Sequence, residues 1–169
     1  MTPQLLDFIQ KLELRVGSVL EIGSFNVNGS ARTVIQAKQW LGTDMRAGPD
    51  VDMVINGLDL NKYFGPIFDL VVCLETLEHC EDWKGVLQSA WSCIMPGGAL
   101  LLSTPGADFP QHDYPSDYHR FSLDIWHVVF RDHRIMAEAD IFYPHNGHIL
   151  FVQKTGPDIE LNVQALPVP

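Results

Sequence analysis

The stretch from Ser18 to Ala31, SVLEIGSFNVNGSA, constrains the fold more than any other part of the chain. Apolar residues on both sides of one carboxylate, Glu21, predict a buried strand that ends at Gly23. A short polar loop follows, and Ser30 is a good N-cap for a helix. Ligands of open α/β sheets bind outside the carboxyl ends of the strands, where helix N-termini offer unpaired N–H groups. The turn after this strand is therefore the expected binding site.

Strand and helix patterns alternate along most of the chain. Caps and apolar periodicity predict helices over 3–14, 30–38, 82–94 and 122–131. Apolar runs predict strands over 18–22, 39–43, 51–55, 68–74, 99–103, 135–142 and 149–153, the last two antiparallel. The alternation predicts an α/β fold in which a mostly parallel sheet carries helices on both faces. We expect one domain over 1–155 and an irregular C-terminal tail over 156–169.

The charge balance excludes two classes of partner. The 169 residues include 11 Lys and Arg against 21 Asp and Glu, a net charge of -10. Nucleic acids and anionic membrane surfaces both attract basic proteins, so we expect neither as a partner. No apolar run approaches the roughly 20 residues that span a bilayer. The N-terminus has no basic region typical of a signal peptide, and the three cysteines suit a reducing compartment, so we expect a cytoplasmic protein.

Polar residues follow the predicted strands at the positions where a nucleoside would be held. Asp44 ends the second strand, 21 residues after Gly23, which is the spacing of an acid that binds ribose hydroxyls; the alternative is a solvated loop carboxylate. Glu21 would accept hydrogen bonds from the loop or a ligand, or would only shape the turn through an internal partner. Asn56 and Gly57 would contact an adenine amine or form a simple turn pair.

The sequence LETLEH follows the fourth strand, on the other wall of the same crevice. Glu75 and His79 are the polar groups expected nearest a reacting centre. A histidine titrates near neutrality, so His79 is a candidate general base. The alternative is that His79 packs or hydrogen-bonds to orient this loop.

A long polar and aromatic loop, 104–121, follows the fifth strand, and loops of this length are usually functional lids or disordered. We expect it to bind an acceptor through aromatic rings and a guanidinium, or to be stapled to itself by Arg120 paired with Asp113 or Asp117. Its histidines lack a diagnostic metal spacing, so no metal is assigned. The candidate acceptor residues are His112, Tyr114, Tyr118, His119 and Arg120.

These motifs resemble the class I S-adenosylmethionine-dependent methyltransferases over most of the chain. VLEIGS resembles their first motif, and LGTDMRAGPDVDMVING resembles the ends of their second and third strands. FDLVVCLETLEHCEDW with IMPGGALLLSTPG is the most specific part and is similar to the small-molecule branch. Phe25 and Val27 stand where that family more often has glycine.

The resemblance implies a Rossmann-like, doubly wound sheet of seven strands with a reversed last hairpin. It implies that the Glu21–Gly23 turn, with Ser24, lies under the methionine part of S-adenosylmethionine, and that Asp44 binds the ribose. It implies that residues 56–58, including Leu58, flank the adenine, and that Leu74 and Glu75 line the methyl-donor site. The expected activity is methyl transfer from S-adenosylmethionine to a small polar or sugar-like acceptor.

Two other functions stay open. A nicotinamide oxidoreductase uses a related sheet, although the chain lacks the second glycine of the G-x-G-x-x-G fingerprint. A non-catalytic cofactor-binding or interaction module is the other, because the chain is short and lacks a large cap over the acceptor. A homodimer in which a second subunit completes the site would also account for that missing cap.

Overall fold

The computed structural model describes residues 2–112, 116–141, 145–156 and 160–165. The helices are α1 (Pro3–Lys11), α2 (Leu60–Tyr63), α3 (Trp83–Ser92) and α4 (Leu123–Val129). The strands are β1 (Arg15–Ile22), β2 (Gln36–Asp44), β3 (Met53–Val54), β4 (Phe68–Leu74), β5 (Ile94–Pro105), β6 (Arg134–Asp140) and β7 (Gly147–Gln153).

The strands form one seven-stranded sheet in the order β3-β2-β1-β4-β5-β7-β6. The pairs β3-β2, β2-β1, β1-β4 and β4-β5 are parallel, whereas β7 runs antiparallel to both β5 and β6. This confirms the predicted α/β class and the reversed last hairpin. The order reverses between β1 and β4, and the carboxyl ends of β1, β2 and β4 therefore lie side by side.

The helices cover the two faces of the sheet unequally. One core cluster joins the sheet to α2, α3 and α4 through residues such as Leu60, Leu87 and Trp126. The other cluster joins the opposite face to α1 through Leu5 and Ile9, which are fully buried. None of the helices in the described ranges combines the length and apolar character that crossing a bilayer requires.

The helix predicted over 30–38 does not form. Ser30 caps only a single 3-10 turn, Ala31–Thr33, and β2 already begins at Gln36. The β-branched run Thr33, Val34 and Ile35 disfavours a helix and favours the extended chain that enters β2. The turn after β1 consequently has no long helix behind it, and the expectation that a helix N-terminus contributes to the site is wrong.

Two other segments differ from the sequence prediction. β5 begins at Ile94 rather than 99, because Pro96, Gly97 and Gly98 lie within the strand. Within the tail that we expected to be irregular, Leu161 and Val163 are buried against the helical face of the core, and a 3-10 turn spans Val163–Ala165. Burial of these apolar side chains stabilises the packing of this part of the tail against the domain.

Candidate functional site

The sheet register brings the predicted site residues to one edge. Ile22, the last residue of β1, pairs with Thr43 of β2 on one side and with Cys73 of β4 on the other. The residues that follow these three strand positions, including Gly23 and Asp44, therefore leave the sheet next to one another. This shared edge is the arrangement that the sequence predicted.

The turn after β1 is held by close packing against the loop after β4. Gly23 has φ +70°, and a Cβ placed on it would lie 2.3 Å from the Thr76 hydroxyl oxygen. Thr76 donates to the carbonyl of Leu74 at 2.9 Å, and the Ser24 N–H donates to the Thr43 carbonyl at 3.0 Å. The turn therefore requires glycine for its backbone conformation and for its contact with Thr76.

Phe25, where the resembling family more often has glycine, packs the turn against the loop that follows β2. A Cβ on Gly48 would lie 2.2 Å from the Phe25 ring, and the Arg46 guanidinium lies 5.3 Å from the centre of that ring. The ring therefore occupies the space beside Gly48 and links the two loops.

Glu21 lies beneath the turn, 6% exposed, and its carboxylate has partners within the protein. The Trp40 indole N–H donates to Oε2 at 2.9 Å, and the Arg32 Nε lies 3.7 Å from the same oxygen. Burial raises the pKa of Glu21 to about 7, although Trp40 and Arg32 both act to lower it. Trp40 and Arg32 are therefore internal partners of Glu21, as in the alternative that Glu21 shapes the turn.

Asp44 is half-buried at the end of β2, and its Oδ1 accepts the Arg46 N–H at 3.0 Å.

The side-chain oxygen of Asn56 accepts the Leu58 N–H at 3.0 Å. This hydrogen bond matches the alternative of a simple turn pair, and it engages that oxygen within the protein. Leu58 is 39% exposed, and Met45, which sequence reasoning did not single out, is 69% exposed. The sequence does offer a sign of Met45, because a large apolar residue directly follows the acid that ends the strand.

Glu75 begins the loop after β4 in an unusual backbone conformation, with φ +51°. The Ser103 hydroxyl donates to its Oε1 at 2.6 Å, and the Ser103 carbonyl accepts its N–H at 3.1 Å. Burial raises the pKa of Glu75 to about 7. Left-handed backbone at a non-glycine residue is a cost that structures usually carry at functional positions.

Glu78 and His79 occupy the next turn, and sequence reasoning missed Glu78. Its side chain is fully buried, and neither carboxylate oxygen has a hydrogen-bond partner among the described residues. The Nδ1 of His79 contacts the Ser116 carbonyl, and its Nε2 lies 3.7 Å from Glu78 Oε1. His79 therefore joins this turn to the long loop, as the orienting alternative proposed.

The described part of the long loop folds back over the end of β4 and is stapled by Arg120. All five guanidinium N–H donors are used, on the Asp117 carboxylate and the carbonyls of Phe109, Pro110 and His119. This is the self-stapled arrangement, and it leaves Arg120 no donor for an acceptor. Tyr114 and Asp113 lie outside the described residues.

Two other loop residues are anchored to the β4 turn through their backbone N–H groups. The N–H groups of Tyr118 and His119 point to the Glu78 carbonyl, at 2.8 and 3.3 Å. The Tyr118 side chain is 51% exposed, and the Nε2 of His119 lies 3.2 Å from the Glu81 carbonyl. His112 donates its backbone N–H to Asp117 Oδ2 at 2.7 Å. These residues lie over the same edge of the sheet as the β4 turn.

Two hollows lie at the amino edge of the sheet instead. One, of about 200 Å³, is lined by residues that include Trp91, Lys154 and Glu160. The other, of about 660 Å³, is lined by residues that include Arg15 and Gln36. Neither lining includes a predicted site residue, and the predicted site residues lie at the opposite, carboxyl edge.

Residues 2–155 match the family described as "Methyltransferase domain". Among curated proteins, the chain is 36% identical over 61 residues to a ubiquinone biosynthesis O-methyltransferase of Xanthomonas axonopodis, covering 36% of this chain and 26% of that protein. It is 26% identical over 110 residues to the same enzyme of Salmonella arizonae, covering 56% and 46%. The matched stretches span less than half the length of those relatives.

The fold is similar to solved methyltransferase structures. A Burkholderia thailandensis 1,6-didemethyltoxoflavin-N1-methyltransferase with bound S-adenosylhomocysteine aligns with TM-score 0.70 and 13% identity, covering 90% of this chain and 77% of that one. Haemonchus contortus phosphoethanolamine N-methyltransferase 2 in complex with S-adenosyl-L-methionine aligns with TM-score 0.65 and 13% identity, covering 89% and 52%. At these identities the likeness concerns the fold.

Proposed function

The chain belongs to the family of methyltransferase domains, and on that premise we propose that it transfers a methyl group from S-adenosylmethionine to a small polar acceptor. The observation that carries the proposal is the meeting of three strand ends, those of β1, β2 and β4, at the point where the strand order reverses. Open α/β sheets bind nucleotide-like ligands at that point. Family membership makes S-adenosylmethionine the first candidate for such a ligand.

The residues at this edge fit the two ends of the cofactor. Asp44 offers a half-buried carboxylate, which can accept hydrogen bonds from ribose hydroxyls. The exposed Met45 and Leu58 side chains, which follow the ends of β2 and β3, offer apolar surface for a purine. The Gly23 turn, which packs against Thr76, leaves the sheet beside this strand end and is where we place the methionine part.

When bound, S-adenosylmethionine supplies an electrophilic methyl group, and the protein has to align a nucleophile with it. Orientation alone contributes up to about 7–11 kcal/mol in favourable cases, so a dedicated base is not required. Of the two catalytic candidates, we place Glu75 next to the reacting methyl group, because Ser103 holds its carboxylate in position. His79 already contacts Ser116 and Glu78, and we assign it to orienting the loop.

The acceptor side is formed by the loop over β4. Tyr118 is exposed there, and His112 and His119 add ring nitrogens capable of hydrogen bonds. The net charge of -10 disfavours polyanionic acceptors. Together with the O-methyltransferase names of the curated relatives, this supports a small acceptor with hydroxyl groups, sugar-like or phenolic.

We expect Asp44→Ala to weaken S-adenosylhomocysteine binding about 10- to 100-fold, because a hydrogen bond to a charged group contributes roughly 1.5–3 kcal/mol. Isothermal titration calorimetry measures this directly. Asp44→Asn, which can still accept the Arg46 N–H, separates loss of the carboxylate from disorder of the loop. Asp7→Ala is the matched control, since Asp7 forms a surface pair with Lys11 on α1.

Two results would redirect the proposal. Binding of NAD instead of S-adenosylhomocysteine would support the oxidoreductase. S-adenosylhomocysteine binding without methyl transfer to any of a broad panel of hydroxylated acceptors would support the non-catalytic module. An Asp44→Ala protein that binds S-adenosylhomocysteine as tightly as the wild type would remove the ribose assignment.

A further inference from the structure

Three potential metal ligands meet where the long loop crosses the turn after β4. Glu78, His79 and His112 each bring one ligand atom into a group whose members all lie within 4.8 Å of one another. Glu78 and His79 belong to the turn, and His112 belongs to the loop. The group therefore joins two segments that are 33 residues or more apart in sequence.

Glu78 is a buried carboxylate that hydrogen bonds from the described residues do not reach. Its side chain is 0% exposed, and both of its oxygens lack hydrogen bonds within the described residues. Glu75 and Asp117 add like charges nearby, and the guanidinium of Arg120 gives its donors to the loop. A buried carboxylate of this kind is costly unless it binds a proton or a cation.

Both histidines are oriented as metal-binding histidines usually are. His79 Nδ1 contacts the Ser116 carbonyl, and His112 Nδ1 lies 3.4 Å from the Asp117 carboxylate. An oxygen acceptor at Nδ1 places the proton there and leaves the lone pair on Nε2. For His79, Nε2 faces Glu78 Oε1 at 3.7 Å, so an ion held between them would contact both atoms.

We propose that Glu78, His79 and His112 bind a divalent transition-metal ion of the Zn²⁺ type, which clamps the long loop to the end of β4. Two imidazoles and one carboxylate suit Zn²⁺ or Co²⁺, whereas Mg²⁺ and Ca²⁺ prefer oxygen ligands throughout. Ligands on a tetrahedral ion lie roughly 3–4 Å apart, so the donors have to draw together slightly. His112, whose side chain is 43% exposed, has room to do so.

Three protein ligands leave a coordination position open, as in catalytic zinc sites. A water molecule or an oxygen atom of a small ligand would fill it. The metal site does not depend on the proposed methyl transfer, because every ligand and both orienting oxygens belong to this chain. Metal binding and S-adenosylhomocysteine binding can therefore succeed or fail separately.

The test is a titration of the full chain, without an affinity tag and after treatment with a chelator, with Co²⁺ and Zn²⁺. We expect one Co²⁺ per chain, with visible d–d absorption that Zn²⁺ displaces, and a higher melting temperature in Zn²⁺. Glu78→Gln should weaken binding at least about tenfold. Glu138→Gln is the matched control, because Glu138 faces the single histidine His127 at 2.8 Å.

His112→Gln keeps the test decisive if Glu78→Gln folds poorly, because His112 lies at the surface. It should also lose at least about tenfold in Co²⁺ affinity while remaining folded without metal. The proposal is overturned if the wild type binds neither ion. It is also overturned if both His112→Gln and Glu78→Gln bind Co²⁺ as tightly as the Glu138→Gln control.

Discussion

Replacing Gly23 with alanine is expected to lower the free energy of unfolding by about 2–4 kcal/mol and to weaken S-adenosylhomocysteine binding at least about tenfold. Two costs combine at this position. A φ of +70° costs an alanine roughly 1–2 kcal/mol, and its Cβ would lie 2.3 Å from the Thr76 hydroxyl oxygen and 2.7 Å from Thr76 Cγ2. Urea denaturation and calorimetry measure the two effects.

The chain offers controls that separate these costs. Gly29 also has a positive φ, +111°, but a Cβ there would meet nothing within 4 Å, so Gly29→Ala carries a backbone cost without any side-chain clash. Thr76→Ala removes the two closest atoms, so combining it with Gly23→Ala should recover at least about 1 kcal/mol. A Gly23→Ala protein that recovers no stability when Thr76→Ala is added would contradict the packing between the turn and the β4 loop.

The second large effect is a change in how stability depends on pH when Glu21 becomes glutamine. The folded pKa of Glu21 is about 7, above the value of about 4.5 expected in the unfolded chain. The folded state therefore holds a proton that the unfolded state releases between these values, and stability falls as pH rises through that window. From pH 5 to pH 8 this group costs the wild type roughly 2–3 kcal/mol.

Glutamine cannot ionise, and it can still accept the Trp40 N–H. We expect the stability of Glu21→Gln relative to the wild type to rise by roughly 2–3 kcal/mol between pH 5 and pH 8, as measured by urea denaturation at both pH values. Glu81→Gln, which removes an exposed carboxylate, should show no such rise. Parallel pH profiles for wild type and Glu21→Gln would show that Trp40 and Arg32 outweigh the burial of the carboxylate.

Local patterns predicted much of the fold. The run Phe68–Leu74 is a strand with those bounds, because every residue in it except Asp69 is apolar and buried. The helix from Trp83 is capped by Asp82, whose side chain accepts the Gly85 N–H, as its periodicity and cap indicated. Because β1, β2 and β4 are parallel neighbours, their ends place Gly23, Asp44 and Glu75 at one edge of the sheet.

Features that depend on long-range contacts could not be predicted. The 30–38 segment has a helix cap, but its β-branched residues and the pairing of β2 with β1 decide for a strand. Arg120 could have reached an acceptor or either of two aspartates, and only the folded loop shows that Asp117 and three carbonyls take its donors. Glu78 looked like an ordinary turn residue because its burial depends on the long loop above it.

The most direct test of the central claim is a crystal structure of the protein with S-adenosylhomocysteine. We expect density along the carboxyl ends of β1, β2 and β4, with the ribose beside Asp44 and the amino-acid portion against the Gly23 turn. Density confined to the amino-edge hollows beside Lys154 or Arg15 would contradict it.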